Sequence, residues 1–224
     1  MRPHLSVSLL LLALGFLALF GAAELLYHRF GVRSEWTRKI VHAGTGLITL
    51  LFPLMLESHW QVLLLCGSFL VLLLASSKSG WLPSINRIDR KSYGSLLYPV
   101  IVYLCFLAYA VSGKGLILFY MPILILAICD PVAAIIGKQF PWGIYHPWGS
   151  RKTLSGSLAF LVSASVLCFT LFYGFEPLRP TLVNRPGAAA LVPVVATFCE
   201  ALSVRGTDNF TVPAGTVIVL QLIL

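Results

Sequence analysis

The sequence predicts an all-α, polytopic integral membrane helix bundle of about 7–8 transmembrane helices with a broken helix near Asp130. Three observations predict it. Hydrophobic residues make up 58% of the 224 and charged residues 11%, with a mean hydropathy of +0.89. A soluble domain of this size cannot hide that much apolar surface. The apolar residues fall in runs of roughly 20, the number a helix rising ~1.5 Å per residue needs to cross ~30 Å of hydrocarbon. The Lys and Arg residues gather in short loops between those runs.

Taken in order, the apolar runs predict spans at 5–26, 40–56, 60–76, 95–112, 115–136, 157–174, 187–204 and 210–224. The first is too long for a signal-peptide core and has no small-residue cleavage site at its end, so it reads as a retained span. The longest polar loops are 77–94 and 137–156. There is no internal repeat and no room for a soluble domain, so residues 1–224 read as a single transmembrane domain with a motif-bearing core over 38–213. The five cysteines, Cys66, Cys105, Cys129, Cys168 and Cys199, lie in apolar segments and form no CxxC pair. Neither a zinc site nor a disulfide framework is indicated.

Charge sets the orientation. Arg29, Arg33, Arg38 and Lys39 follow the first span; Lys78, Arg87, Arg90 and Lys91 the third; Lys138, Arg151 and Lys152 the fifth; Arg205 the seventh. These are 12 of the 16 Lys and Arg residues; Arg2, Lys114, Arg179 and Arg185 fall on the other side. The positive-inside bias puts both termini outside and the odd-numbered loops in the cytoplasm. A net charge of +8 with this distribution points to a membrane surface and an anionic substrate rather than to nucleic acid. The polar clusters "RKIVH" (38–42), "KSYGSLLYP" (91–99), "DPVAAIIGK" (130–138), "GSRKTLSGS" (149–157) and "EALSVRGTDN" (200–209) all fall on that cytoplasmic side. Lys and Arg alone fixed the count, so the gathering of the acids there is independent and predicts one site.

Each cluster has a functional and a plain reading. Asp130 is a carboxylate at membrane depth, which is expensive unless paired or hydrated and so marks function. Asp130 followed by Pro131 is also how a helix begins, with Asp as cap and Pro at the first position. Lys138 is a phosphate ligand or a snorkelling helix end. Gly149, Ser150, Arg151, Lys152, Thr153, Ser155 and Gly156 offer small residues, hydroxyls and two cations at a helix N-terminus. That is a phosphate cradle, or a polar loop with a charge anchor. Glu200, Asp208 and Asn209 join Asp130 as oxygen donors suited to Mg²⁺. The plain alternative pairs Glu200 with Arg205 and makes Asp208 a cap. Arg38 and Lys39 are phosphate contacts or interfacial anchors, His42 a proton acceptor or a packing histidine, and Tyr93 a substrate contact or a loop closure. No GxxxxGK[ST] and no protein-kinase glycine loop or HRD is present, which excludes those nucleotide sites.

The run "DPVAAIIGK…GSRKTLSGS" resembles the core of the polyprenol kinase family, which includes dolichol kinase, phytol and farnesol kinases and CTP-dependent diacylglycerol kinase. "RKIVH" and "EALS…TDN…VP" resemble that family's flanking motifs, in order over 38–213. Phosphatidate cytidylyltransferases carry a related Asp, Gly-Lys and Lys-Thr arrangement but end on His-Gly-Gly and paired aspartates, where this chain has "EALSVRGTDN". It departs from the kinases at 139–149, "QFPWGIYHPWG", where a short Gly-Lys stretch is usual. The resemblance implies CTP as phosphoryl donor, Mg²⁺ as cofactor and a lipid alcohol as acceptor. Asp130, with Glu200 or Asp208, then holds the metal, and Lys138, Arg151 and Lys152 neutralise phosphate. The base is Asp208 or His42. The expected protein is a multi-pass enzyme of a bacterial plasma membrane with its site facing the cytoplasm. The alternatives are a cytidylyltransferase-like or diacylglycerol kinase activity and, from another class, a secondary transporter of an anion.

Overall fold

A computed structural model describes residues 5–86, 92–174 and 186–224. Arg2, Arg87, Arg90, Lys91, Arg179 and Arg185 of the charge count lie outside the described residues. The chain is helical almost throughout. Its elements are α1 (Leu5–Phe30), α2 (Ser34–Thr49), α3 (Phe52–Met55), α4 (His59–Ser79), α5 (Pro83–Asn86), α6 (Gly94–Ser112), α7 (Ile117–Leu124), α8 (Asp130–Gln139), α9 (Leu154–Phe169), α10 (Pro186–Leu202) and α11 (Asp208–Ile223). A two-residue hairpin, β1 (Ile144–Tyr145) against β2 (Lys152–Thr153), joins α8 to α9.

Among the described residues, five helices are long and apolar enough to cross a membrane: Val7–Phe30, His59–Ser79, Gly94–Ser112, Ile117–Gln139 and Leu154–Gly174. Ala189–Leu202 and Asp208–Ile223 are shorter apolar helices. The expected span at 40–56 takes another form. Pro53 cannot donate back to Thr49, so the helix ends there and the chain turns at Leu50 and Leu51 before α3. α2 instead starts at Ser34 and carries Glu35, Arg38 and Lys39 within it. It is amphipathic: Trp36, Ile40 and Leu47 face outward, while Thr37, Thr45 and Thr49 are buried.

The expected break at Asp130 is a π turn rather than a gap. Ile117–Gln139 runs as one element, with α7 passing through a π segment at Ile125–Cys129 into α8. Pro131 is the cause. It has no N–H, and its ring crowds the carbonyl four residues back, so the helix widens by one residue ahead of it. Asp130 therefore caps nothing, because the preceding Cys129 is itself in the right-handed helical conformation. Around this element α8 packs on α9, α9 on α10, α10 on α11, and α11 on α6 and α7. The core is aromatic and aliphatic, with Phe52, Phe119, Phe160, Phe172 and Met121 fully buried.

Candidate active site

The crossing of α8 and α9 fixes the first half of the site. Gly137 and Gly156 meet backbone to backbone. A Cβ on Gly137 would lie 2.7 Å from Thr153 Oγ1 and 3.3 Å from the Cα of Gly156. Thr153 caps α9, its hydroxyl accepting from the Gly156 N–H at 3.1 Å. The cap sets the last strand residues of the hairpin, so Lys152 turns inward. Its ammonium donates to the Glu200 carboxylate, to the Glu200 carbonyl at 2.9 Å and to Ser203 Oγ at 3.1 Å, and lies 3.9 Å from Asp208 Oδ2. Ser157 donates to Glu200 Oε2 at 3.4 Å, and Tyr145 pairs with Ser157 at 2.7 Å. Burial pulls the Lys152 ammonium down, but Glu200, Asp208 and Asp130 more than offset it, and its pKa lies above the ordinary lysine value.

The π turn fixes the second half. In the π register residue 131 would donate to Leu126, but a proline cannot. The Leu126 carbonyl instead accepts from His42 Nε2 at 3.3 Å, so that nitrogen carries the proton. The ring of Tyr98 packs edge-on against His42, centroids 5.1 Å apart. The Tyr98 hydroxyl is buried with no hydrogen-bond partner among the described residues. The nearby hydroxyls of Thr45 and Thr49 donate to the carbonyls of His42 and Thr45, at 2.9 and 2.6 Å.

These groups line one cavity of about 540 Å³. Asp130, Asp208, His42, Lys138, Ser150, Arg151, Lys152, Thr153, Gly156, Glu200, Asn209, Arg38 and Lys39 all reach it, from four separate stretches of chain. At its mouth Lys138 pairs with Glu35. Lys39 sits beside them, its pKa lowered by burial and then by the Lys138 charge.

Other expected residues are placed differently. Gly149 and Ser155 lie outside the cavity. Gly149 forms the exposed turn after Trp148 at φ +80°, and the Ser155 N–H and hydroxyl are taken by the carbonyls of Trp142 and Phe140. The Gly156 N–H, spent on the Thr153 cap, offers nothing to a phosphate. Tyr93 is 51% exposed and outside the cavity; its backbone N–H ties the loop to the Arg205 carbonyl at 2.8 Å, and Ser92 and Ser95 face inward instead. Glu200 pairs with Lys152 rather than with Arg205. Among the described residues no group of three or more His, Cys, Asp and Glu side chains is close enough to hold a metal ion.

The sequence reading missed Glu35, Ser157, Ser203, Thr45, Thr49 and Tyr98. Thr45 and Thr49 carried a signal: with Arg38 and His42 they follow helical spacing along one face of α2. Tyr98 carried none, because a tyrosine within an apolar run is ordinary.

Comparison with curated proteins finds a phytol kinase from Synechocystis sp. that is 32% identical over 204 residues, covering 88% of this chain and 83% of that protein. No family model matches the chain. No solved structure matches it.

Proposed function

The chain belongs to the polyprenol and phytol kinase family, and from that membership we propose that it transfers the γ-phosphate of CTP to an isoprenoid alcohol of the phytol or farnesol type at the cytoplasmic face of a bacterial plasma membrane. One observation carries the reading. A single cavity joins a chamber of cations and carboxylates, around Lys152, Arg151, Asp130 and Asp208, to an arm walled by Phe16, Phe20, Phe69 and Leu73. A triphosphate and a lipid tail need those two environments within one bond of each other.

Phosphoryl transfer asks the protein for alignment and charge neutralisation rather than covalent chemistry. In this reading Arg151, Lys152 and Arg38 neutralise the phosphate oxygens. Lys152 is held by Glu200, Ser203 and Asp208, so its Nζ is fixed before nucleotide arrives. Asp130 and Asp208 both line the chamber, with the Lys152 ammonium 3.9 Å from Asp208. That donor set fits Mg²⁺, which takes one or two carboxylates and completes its shell with phosphate and water. Bound there, Mg²⁺ would supply neutralisation of phosphate charge. The Tyr98 hydroxyl, without a partner one turn below His42, donates to the acceptor's oxygen. That oxygen attacks the γ-phosphorus as the bond to the bridging oxygen breaks, and CDP leaves. His42 Nε2 donates to Leu126, which leaves its Nδ1 lone pair or the Asp208 carboxylate to take the alcohol's proton.

The test is purified protein with Mg²⁺ and CTP labelled at the γ-phosphate, offered phytol, farnesol, longer polyprenols and diacylglycerol. The expected product is a labelled prenyl monophosphate with CDP. A CDP-lipid with release of pyrophosphate would instead assign cytidylyl transfer, and folded protein that labels no alcohol would end the reading.

A further inference from the structure

The arm below the chamber has a floor. The cavity-facing residues of α2 lose polarity with depth, from Glu35 and Arg38 through His42, Thr45 and Thr49, and the stripe ends on Phe52 at the start of α3. α1 and α4 run antiparallel to α2, so their deepest lining residues are Phe16 and Leu65; α6 runs parallel to α2, and its deepest is Val102. Phe16, Phe52, Leu65 and Val102 are all nearly sealed from solvent, at 6%, 1%, 4% and 2% exposure. Behind them Phe119 stacks on Phe52, centroids 6.3 Å apart and 18° between planes; it is fully buried and does not reach the cavity. The seam between α1 and α4 is closed by ring contacts. Phe69 meets Phe16 at 4.9 Å and Phe20 at 5.7 Å, both edge-on. The arm is therefore shut below and along that side.

Given the kinase reading above, we infer that this blind arm holds the acceptor's tail and that its floor, with Phe52 at the centre, sets the longest isoprenoid alcohol the protein accepts. From His42 to Phe52 is ten positions along α2 and the turn after it, ~15 Å at the helical rise, enough for roughly three or four isoprene units with the hydroxyl at the chamber. A long polyprenol has no exit through the floor. Size discrimination by an apolar pocket is graded, with ~10- to 200-fold changes for small changes of fit, so floor substitutions shift a ratio of substrates.

The experiment compares kcat/KM for farnesol, phytol and a long polyprenol in the full-length protein, with CTP and Mg²⁺. Wild type uses the first two and discriminates against the third. Phe52→Leu deepens the arm and raises the long-to-short ratio about ten-fold. Leu65→Phe fills it and lowers phytol relative to farnesol by a similar factor. KM for CTP stays put in both. The pair of opposite changes protects the test, because if Phe52→Leu gives no folded protein, Leu65→Phe still decides. Wild type that accepts long polyprenols as readily as phytol would show that the tail leaves sideways into the bilayer, and would overturn the inference while leaving the kinase intact. Unchanged ratios in the folded variants would do the same. Failure of the kinase reading looks different: folded wild type then phosphorylates no alcohol of any length.

Discussion

The two halves of the cavity are built by opposite means. The chamber is held by charged groups that hold one another: Lys152 between Glu200 and Asp208, Lys138 against Glu35, His42 on a carbonyl left without its helical donor by Pro131. The arm is held by rings, with Phe16, Phe20, Phe52, Phe69 and Phe119 in edge-on or stacked contact. Lys152 cannot move without leaving the Glu200 carboxylate buried and unpaired, which costs several kcal/mol, whereas the Lys138–Glu35 pair at the mouth is exposed. A ring in the arm can give way by a methylene for far less. The chamber is therefore expected to lose activity most where a charge is changed. The arm is expected to tolerate change and to drift in what it binds.

The sharpest test of that contrast is Asp130→Asn. It alters charge and leaves shape almost untouched. Asp130 is not a helix cap, so the change removes no capping bond, and the folded yield and thermal stability in detergent should equal wild type. Turnover should fall by about a thousand-fold or more, equivalent to ~4 kcal/mol of transition-state stabilisation. Near-normal turnover across a Mg²⁺ titration would remove Asp130 from the chemistry and with it the claim that charge governs the chamber.

Lys152→Ala comes next. Losing the Lys152 charge beside the phosphates is expected to cost about 1.5–3 kcal/mol, roughly ten- to a hundred-fold in kcat/KM with a raised KM for nucleotide. It also strands Glu200, which is only 5% exposed, so a loss of stability accompanies it. The double variant Lys152→Ala with Glu200→Gln separates the two effects. Stability should return while activity does not. If activity returned with stability, Lys152 would be a structural partner of Glu200 and nothing more.

The same contrast explains what was legible in the sequence. Asp130, Lys152, Glu200 and Asp208 stood out because charge near a membrane is costly, and their positions alone placed them on one side. The long helices α1, α4, α6 and α9 were readable to within a few residues from apolar run length. α2 was misplaced because an amphipathic helix and a short span can share the same apolar residues, and only the cavity behind it separates the two. The floor was not legible at all. Phe16 and Phe52 look like any lipid-facing phenylalanine, since an apolar side chain is equally at home against lipid or in an arm. Ser155 and Gly156 misled for a different reason. A small-residue stretch at a helix N-terminus serves an anion or a close crossing equally well, and here Thr153 spends the free N–H on the crossing.

Gly137→Ala probes a chamber residue that acts through shape. The added methyl would push on Thr153 Oγ1 and on the Gly156 backbone, parting α8 from α9 and loosening the cap. Cap loss alone is worth about 0.5–2 kcal/mol. A lower melting temperature and a several-fold fall in kcat are expected, with KM for CTP nearly unchanged, because no charged ligand is removed. An effect as large as that of Asp130→Asn would mean that helix spacing, rather than charge, limits the chamber.

The smallest effect is expected at a residue the sequence nominated and the fold sets aside. Tyr93 lies in the loop before α6, with its side chain half exposed and away from the cavity. Its contribution runs through its backbone, whose N–H holds the Arg205 carbonyl at 2.8 Å and so docks this loop beside Asp208. Tyr93→Phe keeps that bond and removes only a phenolic hydroxyl at the surface, so kcat and both KM values should stay within about two-fold of wild type, the ordinary range for a surface change. Tyr98→Phe is the matched control five residues on. It removes a hydroxyl that is buried, unpartnered and at the junction of chamber and arm, and it should raise KM for the alcohol while sparing KM for CTP. Two tyrosines in one helix-forming stretch then differ only in which side of the wall they stand on. Equal responses from the pair would show that the wall between cavity and surface has been drawn in the wrong place.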